Sequence, residues 1–181
     1  MTQPFRYYLR VRYQECDAQH VVFNARYGDY ADLACFEFMR AALPKPTDAF
    51  DGSFEMQTVK QTVEWKGPAR FDDVLEASIW ASRFGTTSFD LTCKLRRASA
   101  GESEPSVTIT TTYVHVDNKT WTKQAIPPRM REALEQGARG QSTDHAGYFE
   151  KTDRPAKGRG GARRRLRKSS AARSQTAGPP A

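Results

Sequence analysis

Along the first dozen residues, apolar and polar side chains alternate: Phe5, Tyr7, Leu9, Val11 and Tyr13 against Arg6, Arg10, Arg12 and Gln14. Successive side chains of a strand point to opposite faces, so this period of two predicts a half-buried strand. After a loop from Glu15 to Phe23 the period lengthens. Tyr27, Tyr30, Ala31, Ala34, Cys35, Phe38 and Ala42 recur at helical spacing, and Leu33, Phe36, Met39 and Leu43 extend the apolar surface almost around the cylinder. Asn24 stands in the N-cap place, and Pro44 and Pro46 stop the helix near Leu43. That gives roughly 18 residues and about 27 Å of helix, with too little polar surface to lie on the outside of a protein.

Alternation then returns four times: Val59, Gln61, Val63, Trp65; Leu75, Ala77, Ile79, Ala81; Phe89, Leu91, Cys93, Leu95; Val107, Ile109, Thr111, Tyr113. Gly67-Pro68, Phe84-Gly85-Thr86 and Ala100-Gly101-Glu102 punctuate the runs as turns. A short helix from Pro128 to about Gln136 follows, with Met130 and Leu134 as its apolar contacts. The expectation is an α+β domain over residues 1–136, in which a five-stranded antiparallel sheet curls around the one long helix and buries the helix's apolar surface. From Gly137 the composition turns to Gly, Arg, Ser, Pro and Ala, which bury too little surface to offset the entropy of ordering. Residues 137–181 therefore read as a disordered basic tail.

Charge alters this picture only at the end of the chain. The formal net charge is +7, but Arg154 to Ala181 holds nine of the 28 basic residues and none of the 21 acidic ones, so the rest is close to neutral. A polyanion such as nucleic acid would meet the tail only nonspecifically, since the tail has no interleaved aromatics and no recognition fold. With no apolar run of about 18 residues and no leader pattern, the expectation is a cytoplasmic protein that does not enter membranes. Cys16, Cys35 and Cys93 are an odd number without CxxC spacing, which suggests free thiols and neither a disulfide framework nor a metal site.

The candidate chemistry lies in Arg12-Tyr13-Gln14-Glu15-Cys16-Asp17 and, after a short loop, Asn24-Ala25-Arg26-Tyr27. This segment resembles the signature of hotdog-fold acyl-CoA thioesterases of the 4-hydroxybenzoyl-CoA type. Trp65-Lys66-Gly67-Pro68-Ala69-Arg70-Phe71-Asp72-Asp73 and Ser82-Arg83-Phe84-Gly85-Thr86-Thr87-Ser88-Phe89 are similar to later parts of the same families, and the likeness runs from about Arg6 to Leu134. The order and lengths of the elements point to the same hotdog fold.

The resemblance implies thioester hydrolysis without a cofactor, acting on acyl-CoA or an acyl carrier protein thioester. Such a reaction needs a base or nucleophile at the carbonyl carbon and donors for the developing oxyanion. Asp17 would supply the carboxylate, as nucleophile or as base toward water. Backbone N–H groups opening the helix, above all that of Asn24, would face the thioester oxygen at the positive end of the helix dipole. Tyr13, His20, Val22, Phe23 and Tyr27 are the candidates for the acyl pocket, with Arg83 and Ser88 as further substrate contacts; Arg70, Arg83 and Lys94 are candidates for CoA phosphates. The resemblance also implies a homodimer or homotetramer with pockets between subunits.

Two departures narrow the chemistry. Many relatives have Gly where His20 stands, and one branch has a catalytic His where this chain has Asn24. A branch that uses a helix carboxylate would find only Asp32 and Glu37 here, because the favoured neighbouring position is Leu33. Cys16 reads as a packing residue. A noncatalytic hotdog that binds acyl thioesters or partner proteins is the competing function, since fold does not fix activity.

Overall fold

The computed structural model describes residues 3–43, 45, 52, 54–101 and 106–152. Strand β1 (Phe5–Arg10) leads through a turn of 3-10 helix at Tyr13–Glu15 to the long helix α1 (Arg26–Ala42). Strands β2 (Glu55–Trp65), β3 (Val74–Phe84), β4 (Ser88–Arg97) and β5 (Val107–Val116) follow, then α2 (Pro128–Gln136), the short strand β6 (Ser142–Asp144) and α3 (Tyr148–Thr152). All strands join one sheet in the order β2-β5-β4-β3-β1-β6.

The alternation read in the sequence is the alternation of the core. Phe5, Tyr7 and Leu9 of β1, Leu75, Ala77 and Ile79 of β3, Phe89, Leu91, Cys93 and Leu95 of β4, and Val107, Ile109 and Tyr113 of β5 are all buried. They close on Tyr27, Tyr30, Ala31, Ala34, Cys35, Phe38 and Met39 of α1. Val59 departs from its run. The register of β2 on β5 shifts between Thr58 and Lys60, so a bulge at Val59 leaves that side chain 59% exposed; beyond it Gln61, Val63 and Trp65 pair with Thr111, Ile109 and Val107, but only Val63 is half-buried and Gln61 and Trp65 are exposed.

Helix α1 begins one residue later than its capping signal. Ala25 holds the cap position without a side-chain hydrogen bond, and Asn24 precedes it. At the other end Leu43 N–H donates to the Met39 carbonyl; Pro44 and Pro46 lie outside the described residues. Gly28 lets α1 approach β2, since a Cβ there would come within 3.0 Å of the Gln61 amide oxygen.

The strand count and the end of the domain differ from expectation. The sheet has six strands, because β6 pairs in parallel with β1 through Arg6, Tyr7 and Tyr8. Residues 137–152, assigned by composition to the tail, are packed: Ala138 is buried, Tyr148 stacks on Tyr8 at 5.3 Å and 5°, and Phe149 meets the same ring edge-on at 4.9 Å. A few well-placed aromatics anchor a segment whose average composition is polar. Residues 153–181, with most of the Arg-rich run, lie outside the described residues.

Candidate active site

Residues 16–22 form a closed loop between β1 and α1. Cys16 and Val22 form an antiparallel bridge, Asp17 N–H donates to the Val21 carbonyl at 2.9 Å, and His20 N–H donates to the Asp17 carbonyl at 2.9 Å. Within the loop the Asp17 carboxylate does part of what a loop aspartate ordinarily does. Its Oδ1 accepts from Gln19 N–H at 2.8 Å and Val21 N–H at 3.5 Å. Oδ2 accepts no hydrogen bond among the described residues. His20 has φ 62°, the left-handed backbone that favours glycine, which explains why glycine suits this position.

Both ends of the loop are fixed from outside. Val22 N–H donates to the Ala69 carbonyl and Phe23 N–H to the Glu15 carbonyl, each at 2.9 Å. The Glu15 side chain, 4% exposed, accepts from Arg12 N–H at 2.7 Å, from the Arg12 guanidinium at 2.8 and 2.6 Å, and from the Tyr30 hydroxyl at 2.8 Å. Burial would raise its pKa, but these donors together hold the carboxyl below the usual range. Glu15 has no assigned task in the sequence motif; its i,i+3 spacing from Arg12, in a segment otherwise closing on apolar residues, is the signal that marks it.

On the other side Tyr27 is buried, and its hydroxyl oxygen accepts from Ala69 N–H at 3.1 Å. Tyr27 thereby fastens the Gly67-Pro68-Ala69 turn to the first turn of α1. Burial, reinforced by Asp73 and Cys16, keeps the phenol protonated against the opposing bond from Ala69.

An open cleft of about 340 Å³ results, with Asp17, Val22, Phe23, Asn24 and Tyr27 along one wall. Trp65, Gly67 and Pro68 line it from the end of β2, a contribution the sequence had not assigned. Among the described residues no acceptor meets the Asn24 or Ala25 N–H, whereas the Phe23 and Asn24 carbonyls take the first helical donors, Arg26 and Tyr27. A carboxylate oxygen and unpartnered amides at a helix start therefore border one cleft, an arrangement able to bind and polarise a carbonyl oxygen.

The remaining candidates are elsewhere in the single chain. Tyr13 is 81% exposed and stands edge-on to Phe71 at 6.0 Å; His20 is exposed on the loop outside the cleft lining. Arg83 is exposed and clamps Asp90 through two nitrogens at 2.6 and 2.9 Å, and Ser88 opens β4 beside it. Since β5 pairs Val107 with Trp65 but Val114 with Ser88, Arg83 and Ser88 occupy the opposite end of the sheet from the cleft. Asp32, the alternative helix carboxylate, is exposed on α1, with its pKa raised by partial burial and by Asp29.

A sheet packed around one long helix, with its cleft at the helix start, defines a hotdog-fold protein. The profile of the thioesterase-like superfamily matches residues 11–134, and the chain belongs to that family. A curated Aquifex aeolicus protein described as "Putative esterase" is 33% identical over 76 residues, 42% of this chain and 59% of the relative, so under two thirds of that relative is spanned. Among solved structures, a hypothetical protein from Aquifex aeolicus superposes with a TM-score of 0.65 at 26% identity, covering 73% of this chain and 100% of the other. A 1,4-dihydroxy-2-naphthoyl-CoA thioesterase from Synechocystis superposes with a TM-score of 0.63 at 17% identity, covering 72% and 94%.

Proposed function

We propose that the protein hydrolyses an acyl-CoA thioester to the carboxylic acid and CoA. The observation that carries this reading is the pairing, on one cleft, of the unused Asp17 Oδ2 with the unpartnered Asn24 N–H. Asp17 takes a proton from water as the oxygen adds to the carbonyl carbon, or adds itself to form an anhydride that water then opens. In either case the carbonyl oxygen gains charge against the Asn24 amide, and its return expels the thiolate of CoA, which is protonated. Val22, Phe23 and Tyr27 form the apolar wall against which the acyl group rests.

The active form is a homodimer formed across β2. That strand is an open edge carrying exposed Val59 and Trp65, and Leu33 and Phe36 are exposed on α1. A twofold pairing of β2 edges reverses the sheet direction in the second copy. The sheet end bearing Arg83 and Ser88 then falls on the same side as the first copy's cleft, so those residues reach substrate from across the dimer.

Release of CoA from a panel of aromatic, short and long acyl-CoA substrates, with wild type and Asp17→Asn, tests the proposal. Removal of the base or nucleophile lowers kcat by about 10²–10⁴-fold. Equal turnover by the two proteins would remove Asp17 from the chemistry, and no turnover of any substrate would favour a noncatalytic thioester-binding protein. A single turnover in H₂¹⁸O separates the two roles: label found in Asp17 marks it as the nucleophile.

A further inference from the structure

A cavity separate from the thioester cleft lies where β1, β3 and β4 meet Phe38 of α1 and the end of α2. Its volume is about 570 Å³; Arg6, Ser78, Trp80, Lys94 and Arg96 line it from the strands, and Glu135 and Arg139 from the α2 end. Strand pairing explains the convergence. Arg6 of β1, Ser78 of β3 and Lys94 of β4 stand in one row across the sheet, with Glu76 and Arg96 paired in the neighbouring row. Their neighbours Ile79, Cys93 and Leu95 are buried in the core, so alternation sends this set to the opposite face.

Three cations meet one carboxylate there. Glu76, 5% exposed, accepts from the Tyr8 hydroxyl at 3.1 Å, the Ser78 hydroxyl at 3.1 Å and Arg96 Nη2 at 2.8 Å, and Arg6 approaches it only to 3.6 Å. The Nε–H groups of Arg6 and Arg96 are buried with no acceptor, while the Arg6 guanidinium also meets the Tyr8 hydroxyl. Lys94 has no carboxylate partner among the described residues, and its Nζ lies 5.5 Å from the centre of the Trp80 ring. With Arg139 and Glu135 counted, four cations face two carboxylates, so the site keeps an excess of positive charge and two buried guanidinium N–H groups without acceptors. Guanidinium forks match the oxygens of a tetrahedral oxyanion, and a lysine adds a point charge.

We propose that this cavity binds the phosphate group of a phosphorylated small molecule, with Arg6, Arg96 and Lys94 as the anion ligands and Ser78 as an additional hydroxyl donor. Trp80 at the rim offers a flat apolar surface to whatever the phosphate is attached to.

Titration calorimetry of the full chain with inorganic pyrophosphate and with ADP, at low and at physiological salt, tests this. Saturable binding is expected for both, weakening as salt rises. Lys94→Ala and Arg6→Ala, at half-exposed or exposed positions that leave the Glu76–Arg96 bond in place, each weaken it about tenfold, the loss of one charge-assisted contact. Tighter binding of ADP, relieved by Trp80→Ala, identifies a nucleotide; equal affinity identifies the phosphate group alone. A ligand-induced shift of the Trp80 indole N–H resonance places the ligand independently of any variant. Absence of saturable binding overturns the proposal. So does binding that neither variant weakens, which would assign the phosphate to the Arg-rich tail, or a Trp80 resonance that stays still at saturation.

Discussion

Replacing Glu15 with Gln tests whether the loop that presents Asp17 is held by one buried carboxylate. Glu15 Oε2 receives both the Arg12 backbone N–H and the Tyr30 hydroxyl, whereas Oε1 receives the Arg12 guanidinium. The best placement of the glutamine keeps its one oxygen toward the two buried donors and turns its NH₂ toward the guanidinium, donor against donor. The two buried bonds fall from charge-assisted to neutral strength, a loss of about 1 kcal/mol each. The Arg12 side chain is largely exposed, so its ion pair adds little. A total of about 2–3 kcal/mol follows, or a fall in Tm of roughly 4–12 °C for a domain of this size.

Urea unfolding followed by circular dichroism, at pH 7 and at stepwise lower pH, measures it. Because the folded-state pKa of Glu15 is depressed, its contribution is complete above the ordinary carboxylate range and disappears as pH falls through the folded value. Wild type and Glu15→Gln should therefore differ most near neutrality and converge in acid. A difference below about 0.5 kcal/mol at pH 7, within the range of an ordinary surface change, would refute the clamp. A gap that widens in acid would refute the sign.

Three further outcomes follow from the same structure. At His20, with φ 62°, a change to Gly should stabilise by about 0.5–1 kcal/mol and a change to Val should destabilise; a destabilised Gly variant in urea melts would contradict the strain argument. Burial pushes the thiols of Cys35 and Cys93 up to about 12, while Cys16 is half-buried. An aromatic disulfide reagent at pH 8 should then label one thiol in the native protein and all three only after unfolding, and three equal rates in the native state would count against that core. Ending the chain after Gln136 should lower Tm by several degrees, whereas ending it after Thr152 should not; equal melting of the two would mean that β6 and α3 add nothing to the domain.

Period explains what could be read from the chain in advance. The inward residues of β1, β3, β4 and β5 and the buried face of α1 follow rules of two and 3.6 that need no tertiary knowledge. Val59 escaped them because a bulge adds a residue without leaving a mark in the composition. Residues 137–152 escaped because order there depends on Tyr148 and Phe149 finding Tyr8, a contact more than a hundred residues away in sequence. At the site, Asp17, Val22, Phe23, Asn24 and Tyr27 came from one contiguous motif and meet at one cleft. Arg83 and Ser88 were assigned from a second segment, and strand register, invisible to local pattern, put them at the far end of the sheet. Glu15 was overlooked because a charged residue ordinarily reads as solvated, and only its three donors show that it is not.

The parallel pairing of β6 on β1 also bears on how far sheet-to-sheet association could extend. An unprotected strand at each end of a sheet lets copies add at both ends without limit, the route to filaments. Here β6 takes up the backbone of β1 at Arg6–Tyr8 and presents only three residues of its own, too short a template to extend. The eleven residues of β2 are the one long rim left among the described strands. In the proposed dimer, association through that rim would consume it in both partners, so growth by sheet extension would end at a pair, with the small strand at the other margin as a terminator.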